Sequence, residues 1–305
     1  MACSAKLMRT RFAPSPTGPL HLGHAYSAIL AHDMARAAGG AFYLRIEDID
    51  PTRCRPEWER LLIEDLEWLG LTWDAAPLRQ SERQGIYHAA LHGLWQRDLL
   101  YPCTCTRRDI DLALSAPQEG VEPARGPDGP VYPGTCVGKH CGGRPCSMSV
   151  MPEDQHLRLR VGTAASVCDQ SILRDGGATF GLWFTETGPA HHGSVSTSRE
   201  DYVARIGDIV LARRDFGTSY HLSVVLDDAA QGITHVTRGE DLFESTPVHV
   251  LLQRLLGLPT PVYHHHGLIR DEGGKRLAKR DDARAIRKYR DEGATPADIR
   301  RMVGL

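Results

Sequence analysis

Excess charge of either sign is missing from this 305-residue chain: 36 Lys and Arg against 38 Asp and Glu leave a formal net charge of -2. That excludes the global basicity of a dedicated nucleic-acid binder, although not a local basic face. Long apolar runs are missing too. Residues 1–10 hold no signal-peptide core, and no stretch approaches the roughly 18 apolar residues of a membrane-spanning helix. A cytoplasmic protein with no membrane partner is therefore expected. What remains is ordinary globular material, 41% hydrophobic and 24% charged, in a chain long enough for one large domain or two modest ones. Cysteine is scarce outside one region, which holds Cys103, Cys105, Cys136, Cys141 and Cys146, while Cys3, Cys54 and Cys168 stand alone. In a cytosolic chain such clustering points to a metal more than to disulfides. The isolated three read as ordinary thiols.

The N-terminal part alternates between the strand and helix periods. Residues 7–13 read as a strand running into a turn, 23–38 as a helix stopped by Gly39-Gly40, and 42–46 as a strand ending at Glu47-Asp48. Residues 57–69 and 82–99 read as amphipathic helices. Such alternation implies βαβ units and a parallel sheet, whose ligands gather beyond the carboxyl ends of the strands. From 116 to 143 the pattern dissolves into Pro, Gly and Cys, a loop long enough to need a reason such as a metal. Residues 156–161 and 178–187 read as strands of an inserted subdomain. The first fold resumes near Arg205, with strands at 209–211, 233–236 and 262–266, a helix at 220–230, and a helix at 245–256 capped by Ser245. A glycine- and charge-rich loop at 271–280 precedes helical stretches at 283–290 and 296–303. The expected division makes 1–102 and 205–260 two halves of one α/β domain, 103–204 an insertion, and 261–305 a loop with a short helical C-terminal region. No internal repeat is present, and nothing follows Leu305, so no further domain is expected.

The most informative run is His21-Leu22-Gly23-His24, just after Arg11-Phe12-Ala13-Pro14-Ser15-Pro16-Thr17-Gly18. A strand ends in a Pro/Gly-rich turn, and two histidines three apart at a helix start face one side. Imidazoles and free backbone N–H groups then converge on one point, which suits a polyphosphate. Gly23 lets a nucleotide approach the backbone. Without Arg11 and that turn, the histidines would read as residues that cap and pack. The second signal is Gly273-Gly274-Lys275-Arg276-Leu277-Ala278-Lys279-Arg280. Its cations can close on a triphosphate as charge develops, whereas seen alone it would be a solvated basic loop. His264-His265-His266 cannot chelate together, because neighbours on a strand point to alternate faces. A structural role is expected there, with one ring near the nucleotide. His191-His192 is assigned nothing.

Together these runs resemble the two signature sequences of class I aminoacyl-tRNA synthetases, HIGH and KMSKS. Residues 11–18 and 21–24, Arg45-Ile46-Glu47-Asp48 with Asp50 and Arg53, and Arg238-Gly239-Glu240-Asp241-Leu242 are similar to the glutamyl-tRNA synthetase group over nearly the whole chain. The resemblance implies a Rossmann-like, parallel-sheet α/β catalytic domain with an inserted zinc-containing subdomain. Members of that group continue into a helical anticodon-binding domain, not expected here. The early end and the cysteine cluster resemble the glutamyl-Q tRNA(Asp) synthetase family, which activates glutamate and esterifies it to queuosine in the tRNA(Asp) anticodon rather than to a 3′ end. The implied partners are ATP with Mg2+, L-glutamate and queuosine-carrying tRNA(Asp), acting with a monomer. By resemblance, Arg11, Ala13, Ser15, Glu47, Tyr220 and Arg238 line the glutamate pocket. Glu47 suits the ammonium, and Arg11 or Arg238 the side-chain carboxylate. His21, Gly23, His24, Arg276 and Lys279 would bind ATP, with His21, His24 and Lys279 catalytic. The second signature departs from the common Lys-Leu-Ser-Lys: Arg276-Leu277-Ala278-Lys279 keeps the charge and loses a hydroxyl, which leaves Lys279 the principal residue of that loop.

Cys103-Thr104-Cys105 places two thiolates close together, and Tyr132 and Cys136 offer two more ligands four apart. The family's zinc site resembles Cys-x-Cys followed by Tyr-x-x-x-Cys. That implies Cys103, Cys105, Tyr132 and Cys136 around a structural, four-coordinate Zn2+, with His140, Cys141 and Cys146 open as replacements. Arg107, Arg108, Arg284, Arg287, Lys288 and Arg290 are candidates for an RNA path. Three other readings stand beside this one: a glutamyl-tRNA synthetase charging a 3′ end, a small-molecule nucleotidyltransferase with a related histidine site, and an inactive zinc-containing RNA-binding module.

Overall fold

The structure, a computed structural model, describes residues 7–114, 123–139, 145–174, 181–215, 217–269 and 284–305. The chain opens with β1 (Arg9–Phe12), α1 (Leu22–Ala37), β2 (Ala41–Ile46), α2 (Pro56–Trp68), β3 (Leu78–Arg79) and α3 (Gln84–Gln96). β1, β2 and β3 run parallel, with Arg9 opposite Ala41 and Arg45 opposite Leu78. On α1 the inward positions are Leu22, Ala25, Ala28, Ile29, Ala31 and Ala35, all buried. Small residues at those positions let the helix settle closely on β1 and β2.

The middle of the chain supplies β4 (Leu100–Cys103), α4 (Arg107–Leu114), a hairpin of β5 (Arg125–Gly126) and β6 (Gly129–Pro130), β7 (His156–Leu159), α5 (Val161–Arg174), β8 (Leu182–Glu186), β9 (Gly193–Thr197), α6 (Arg199–Asp201) and β10 (Val210–Ala212). β7 pairs antiparallel with β4 and β10 in a separate three-stranded sheet. The last third holds α7 (Tyr220–Ala230), β11 (His235–Gly239), α8 (Thr246–Leu255), β12 (Val262–His266), α9 (Ile286–Asp291) and α10 (Pro296–Val303).

The order in the second large sheet is β11-β12-β8-β9. β11, β12 and β8 are parallel, and β9 is an antiparallel edge. β8 therefore departs from the expected insertion: Tyr263 pairs with Glu186, and Phe184 packs edge-on to Tyr263 with centroids 5.2 Å apart. The alternating pattern of β8 reports a half-buried strand but not the sheet that receives it. A smaller difference is Ser245, which occupies the N-cap of α8 yet makes no side-chain capping bond.

The two halves meet where β11 lies against β1. Thr234 N–H donates to the Arg9 carbonyl (3.0 Å), and Arg9 N–H donates to Thr234 Oγ1 (2.8 Å). β1 thus has β2 on one side and β11 on the other, a reversal of strand order of the kind that opens a ligand crevice. α9 and α10 return to cover α1. Ile286, Ile299 and Val303 join its apolar cluster, and Arg300 forks onto Asp33 at 2.6 and 3.2 Å. α10 starts with a Thr295–Asp298 capping box and Pro296 in its first turn, and stops at Gly304, whose φ of 80° favours glycine. Among the described residues no helix is long and apolar enough to cross a membrane.

Candidate active site

A cavity of about 380 Å³ opens at the carboxyl ends of β1, β2, β11 and β12, at the reversal point. Its walls include Arg11, Ala13, Ser15, Glu47, Tyr220 and Arg238, which the sequence assigned to one pocket, together with His21, Gly23 and His24. The turn after β1 is tied to the end of β2, since Glu47 N–H donates to the Pro14 carbonyl at 3.0 Å.

The histidines are held by the start of α1. His21 Nδ1 accepts from Gly23 N–H at 3.1 Å, and His24 Nδ1 accepts from His21 N–H at 3.2 Å, a reciprocal capping box with ring centroids 3.8 Å apart. A neutral ring whose Nδ1 accepts carries its proton on Nε2. Each imidazole is thereby fixed as an Nε2–H donor beside a helix N-terminus, an arrangement favourable to phosphate oxygens. Gly23 has a second role: a Cβ there would stand 3.0 Å from His21 Cε1 and press on the ring.

Arg11 and Arg45 share Asp228 of α7. Arg11 Nε donates to Asp228 Oδ1 at 2.9 Å and Nη1 to the Thr237 carbonyl at 3.1 Å. Arg45 Nη1 donates to the same carboxylate at 2.5 Å, and its Nη2 to Glu47 Oε1 at 3.1 Å. Burial alone would raise the Asp228 pKa, but the two guanidiniums hold it below its ordinary value. For Glu47 burial prevails over Arg45 and Arg11, and its pKa lies above the ordinary value.

Arg238, on β11, is held differently. Nε donates to His265 Nε2 (3.0 Å), Nη1 to His249 Nδ1 (3.0 Å) and Nη2 to Thr246 Oγ1 (2.8 Å). All three partners are neutral, because burial and the neighbouring Arg238 push His249 well below its ordinary value and His265 down to about 4. Behind His265, Nδ1 donates to Glu186 Oε2 at 2.5 Å. Among the described residues, Arg238 thus brings a buried positive charge to the cavity wall with no carboxylate hydrogen-bonded to it, whereas Arg11 is already paired with Asp228. Of the histidine triplet, His266 reaches the cavity and bonds Ser27 Oγ at 2.8 Å, His265 is turned inward, and His264 bonds Thr187 Oγ1 at 3.0 Å. His191 stacks on Phe243 with centroids 3.8 Å apart.

Sequence reasoning passed over Asp228, His249, Thr246 and Glu186. Two signals were there. Tyr220 and Asp228 are eight apart on one helix and so share a face, and His249 interrupts the apolar run Val248–Leu252.

The cysteine cluster lies where β4 meets the segment after β6. Cys103, Cys105 and Cys136 bring their sulfurs within 4.8 Å of one another and can hold a metal ion. Tyr132 Oη is 3.5 Å from Cys103 Sγ and 3.4 Å from Cys105 Sγ, and it accepts from Cys136 N–H at 2.9 Å. Tetrahedral coordination with Zn–S of about 2.3 Å separates thiolates by roughly 3.8 Å, so this donor set fits a closed four-coordinate site. Burial pushes the Cys105 thiol up to about 11, and without a cation it stays protonated. Arg158 stacks over the Tyr132 ring at 3.7 Å and donates to Cys103 Sγ at 3.2 Å. Cys146 is disulfide-bonded, which removes its sulfur as a replacement ligand. Cys54 and Cys168 are not disulfide-bonded and lie away from the cluster.

Between the cluster and α7 lies a second cavity of about 470 Å³, with Arg107, Asp128, Arg158, Arg213, Tyr220 and His221 in its walls. Tyr220 belongs to both cavities. Of the proposed RNA path, Arg107 therefore lines a cavity. Arg284, Arg287 and Arg290 instead pair with Glu292, Asp291 and Asp65, which weakens them as an open cationic track. Arg276, Lys279, His140 and Cys141 lie outside the described residues, as does Cys3. The described residues flanking 270–283 border the first cavity: Ile269 lines it, and Ala285 forms an antiparallel bridge with His21.

Residues 7–123 and 190–305 match the catalytic-domain family of class I tRNA synthetases (E and Q). The chain is 64% identical over 298 residues to a glutamyl-Q tRNA(Asp) synthetase of Rhodobacter capsulatus, covering 98% of this chain and 100% of that protein. It is 36% identical to a glutamate–tRNA ligase of Aquifex aeolicus, covering 95% of this chain and 55% of that one. Among solved structures, a glutamate tRNA ligase of Elizabethkingia meningosepticum in complex with its amino acid superposes with a TM-score of 0.70 at 28% identity. The match covers 98% of this chain and 61% of that one.

Proposed function

The chain belongs to the class I tRNA synthetases of the E and Q type and, within them, to the glutamyl-Q tRNA(Asp) synthetases; from that premise we propose that it activates L-glutamate with ATP and transfers the glutamyl group to queuosine in the anticodon of tRNA(Asp). One observation carries the amino-acid half: a single cavity offers a carboxylate at Glu47 and, at Arg238, a guanidinium whose hydrogen-bond partners among the described residues are neutral. Glutamate needs an anionic partner for its ammonium and a cationic one for its side chain. Arg11 already faces a carboxylate of the protein, Asp228, so Arg238 takes the side-chain carboxylate and Glu47 the ammonium. Ala13, Ser15 and Tyr220 shape the pocket. The acceptor half rests on the relatives.

In the first step the α-carboxylate oxygen bonds to the α-phosphorus of ATP and pyrophosphate leaves. No protein nucleophile is required. His21 and His24 donate Nε2–H groups to the phosphates beside the α1 N-terminus, and Gly23 keeps the His21 ring in place. Lys279, and secondarily Arg276, neutralises charge developing on the leaving pyrophosphate, a reading supported by Ile269 in the cavity wall and by Ala285, which is bridged to His21. Mg2+ would enter with ATP rather than in an all-protein cage, and would supply screening of the phosphate charge. In the second step a hydroxyl of the queuosine ring attacks the acyl carbon, AMP leaves, and an ester forms. Cys103, Cys105, Tyr132 and Cys136 would hold a structural Zn2+ that closes the insertion. The enzyme would work in the cytoplasm, where its RNA substrate is.

The test is ATP–pyrophosphate exchange with glutamate, with and without tRNA, followed by transfer of labelled glutamate. Exchange without tRNA and label on queuosine-containing tRNA(Asp) support the proposal. Label at the 3′ end of tRNA(Glu) would replace it with a charging enzyme, and absence of exchange with a binding module.

A further inference from the structure

The network behind Arg238 has a direction. A guanidinium has only donors, so Arg238 Nη1 donates to His249 Nδ1 at 3.0 Å. An imidazolium there would set N–H against N–H, so His249 is neutral with its one proton on Nε2. That nitrogen lies 3.1 Å from His221 Nδ1, which must accept. The His221 proton is then on Nε2, facing Asp128 Oδ1 at 3.1 Å. Each donor and acceptor is thus specified from the amino-acid cavity, through α8 and α7, to a carboxylate on the β5–β6 turn that lines the second cavity. His249 is 2% exposed, whereas the Asp128 side chain is 57% exposed. Tyr220 lies edge-on to both rings, 5.6 Å from His221 and 5.7 Å from His249 by centroids.

We propose that His249 and His221, anchored on Asp128, are positioning residues for Arg238: they set the plane in which its guanidinium meets the substrate's side-chain carboxylate, and so sharpen discrimination of glutamate from its amide. This inference rests on the reading of Arg238 given above. A chain of aligned hydrogen bonds ending on a carboxylate restrains the guanidinium more than one neutral acceptor does. The effect belongs to amino-acid recognition and leaves ATP recognition alone.

The test measures KM for glutamate, KM for ATP and kcat in pyrophosphate exchange for four variants. His249→Phe should raise KM for glutamate about ten- to a hundredfold, the scale of one hydrogen bond to a charged group, with KM for ATP and kcat within about threefold. His249→Gln, whose carboxamide oxygen can accept from Arg238 while its NH2 donates to His221, should recover to within about threefold of the parent. Asp128→Ala, on the surface, should raise KM for glutamate several-fold and decides alone if His249→Phe does not fold. An unchanged KM in Asp128→Ala, or His249→Gln as damaging as His249→Phe, overturns the proposal. Arg238→Lys separates the two levels. If it leaves KM for glutamate intact, the reading of Arg238 fails. If it is damaging while His249→Phe is silent, positioning alone fails. The 15N spectra of both rings should show neutral imidazoles protonated on Nε2, and a proton on Nδ1 of either ring refutes the relay.

Discussion

The amino-acid cavity and the cysteine cluster treat buried polar groups in opposite ways. In the cavity the protein supplies both signs of charge. Asp228 sits between Arg11 and Arg45, Glu47 closes on Arg45, and the pKa of Asp228 is held low by its neighbours. At the cluster the Arg158 guanidinium reaches Cys103 and Tyr132, while the Cys105 thiol is pushed up to about 11 by burial and shares weak bonds with Tyr132 and Cys136. The first region is preorganised by the fold. The second is a set of donors that could hold a dication, which would convert thiols to thiolates.

The difference is broken most severely by removing the cation. Protein purified without chelator should carry stoichiometric zinc. Extraction, or Cys105→Ser, should lower stability by on the order of 5 kcal/mol, roughly 10 °C or more in Tm, while exchange with glutamate persists below the new transition. Absence of zinc by elemental analysis would remove the contrast altogether. Next in size, Arg238→Ala should lower kcat/KM for glutamate about 10²- to 10³-fold, with a smaller loss of Tm because His249, His265 and Thr246 lose their buried donor. A smaller effect is expected of Gly23→Ala, which displaces the His21 ring: kcat should fall about three- to tenfold, read in the same assay. Smallest is Arg300→Ala at the rim of the N-terminal half. The hydrogen bond from Arg300 depresses the Asp33 pKa, so its contribution is present above the unfolded value of about 3.9 and lost as pH falls through the folded one. With both side chains partly exposed it is worth about 0.2–1 kcal/mol. The Tm difference between parent and variant should be visible at pH 7, shrink below about 3.8 and vanish only once the pH is under the depressed folded value. A difference that persists there would contradict the assignment.

Local chemistry was legible in the chain and long-range pairing was not. His21, Gly23 and His24 could be found because a turn, a cap and a helix start follow one another along the sequence. Glu47 could be found at the end of a strand. The spacing of Cys103-Thr104-Cys105 likewise announces itself. Asp228 looks like a surface residue of an ordinary helix until Arg11 and Arg45 arrive from strands about 200 positions away, at separations of 217 and 183. His249 needs His221 and Arg238 beside it before it means anything. β8 reads correctly as a strand, but its choice of sheet depends on Tyr263 and Phe184 packing. The choice between Arg11 and Arg238 could not be made from residue type, because it depends on which guanidinium the fold has already neutralised.

The docking of α9 and α10 on α1 also bears on how the molecule comes into being. Asp33 and Arg300 are 267 positions apart, and Leu20 receives its hydrogen bond from Ile286. At a ribosomal rate of about 5–20 residues per second, roughly 13–50 s separate the synthesis of these partners. Throughout that interval the apolar side of α1 awaits its cover, and the histidine-bearing helix start lacks its flanking strand bridge. Completion of the N-terminal half is therefore a late event, timed by the emergence of α9 and α10. Contacts of such long sequence separation also make slow refolding the expectation for this half.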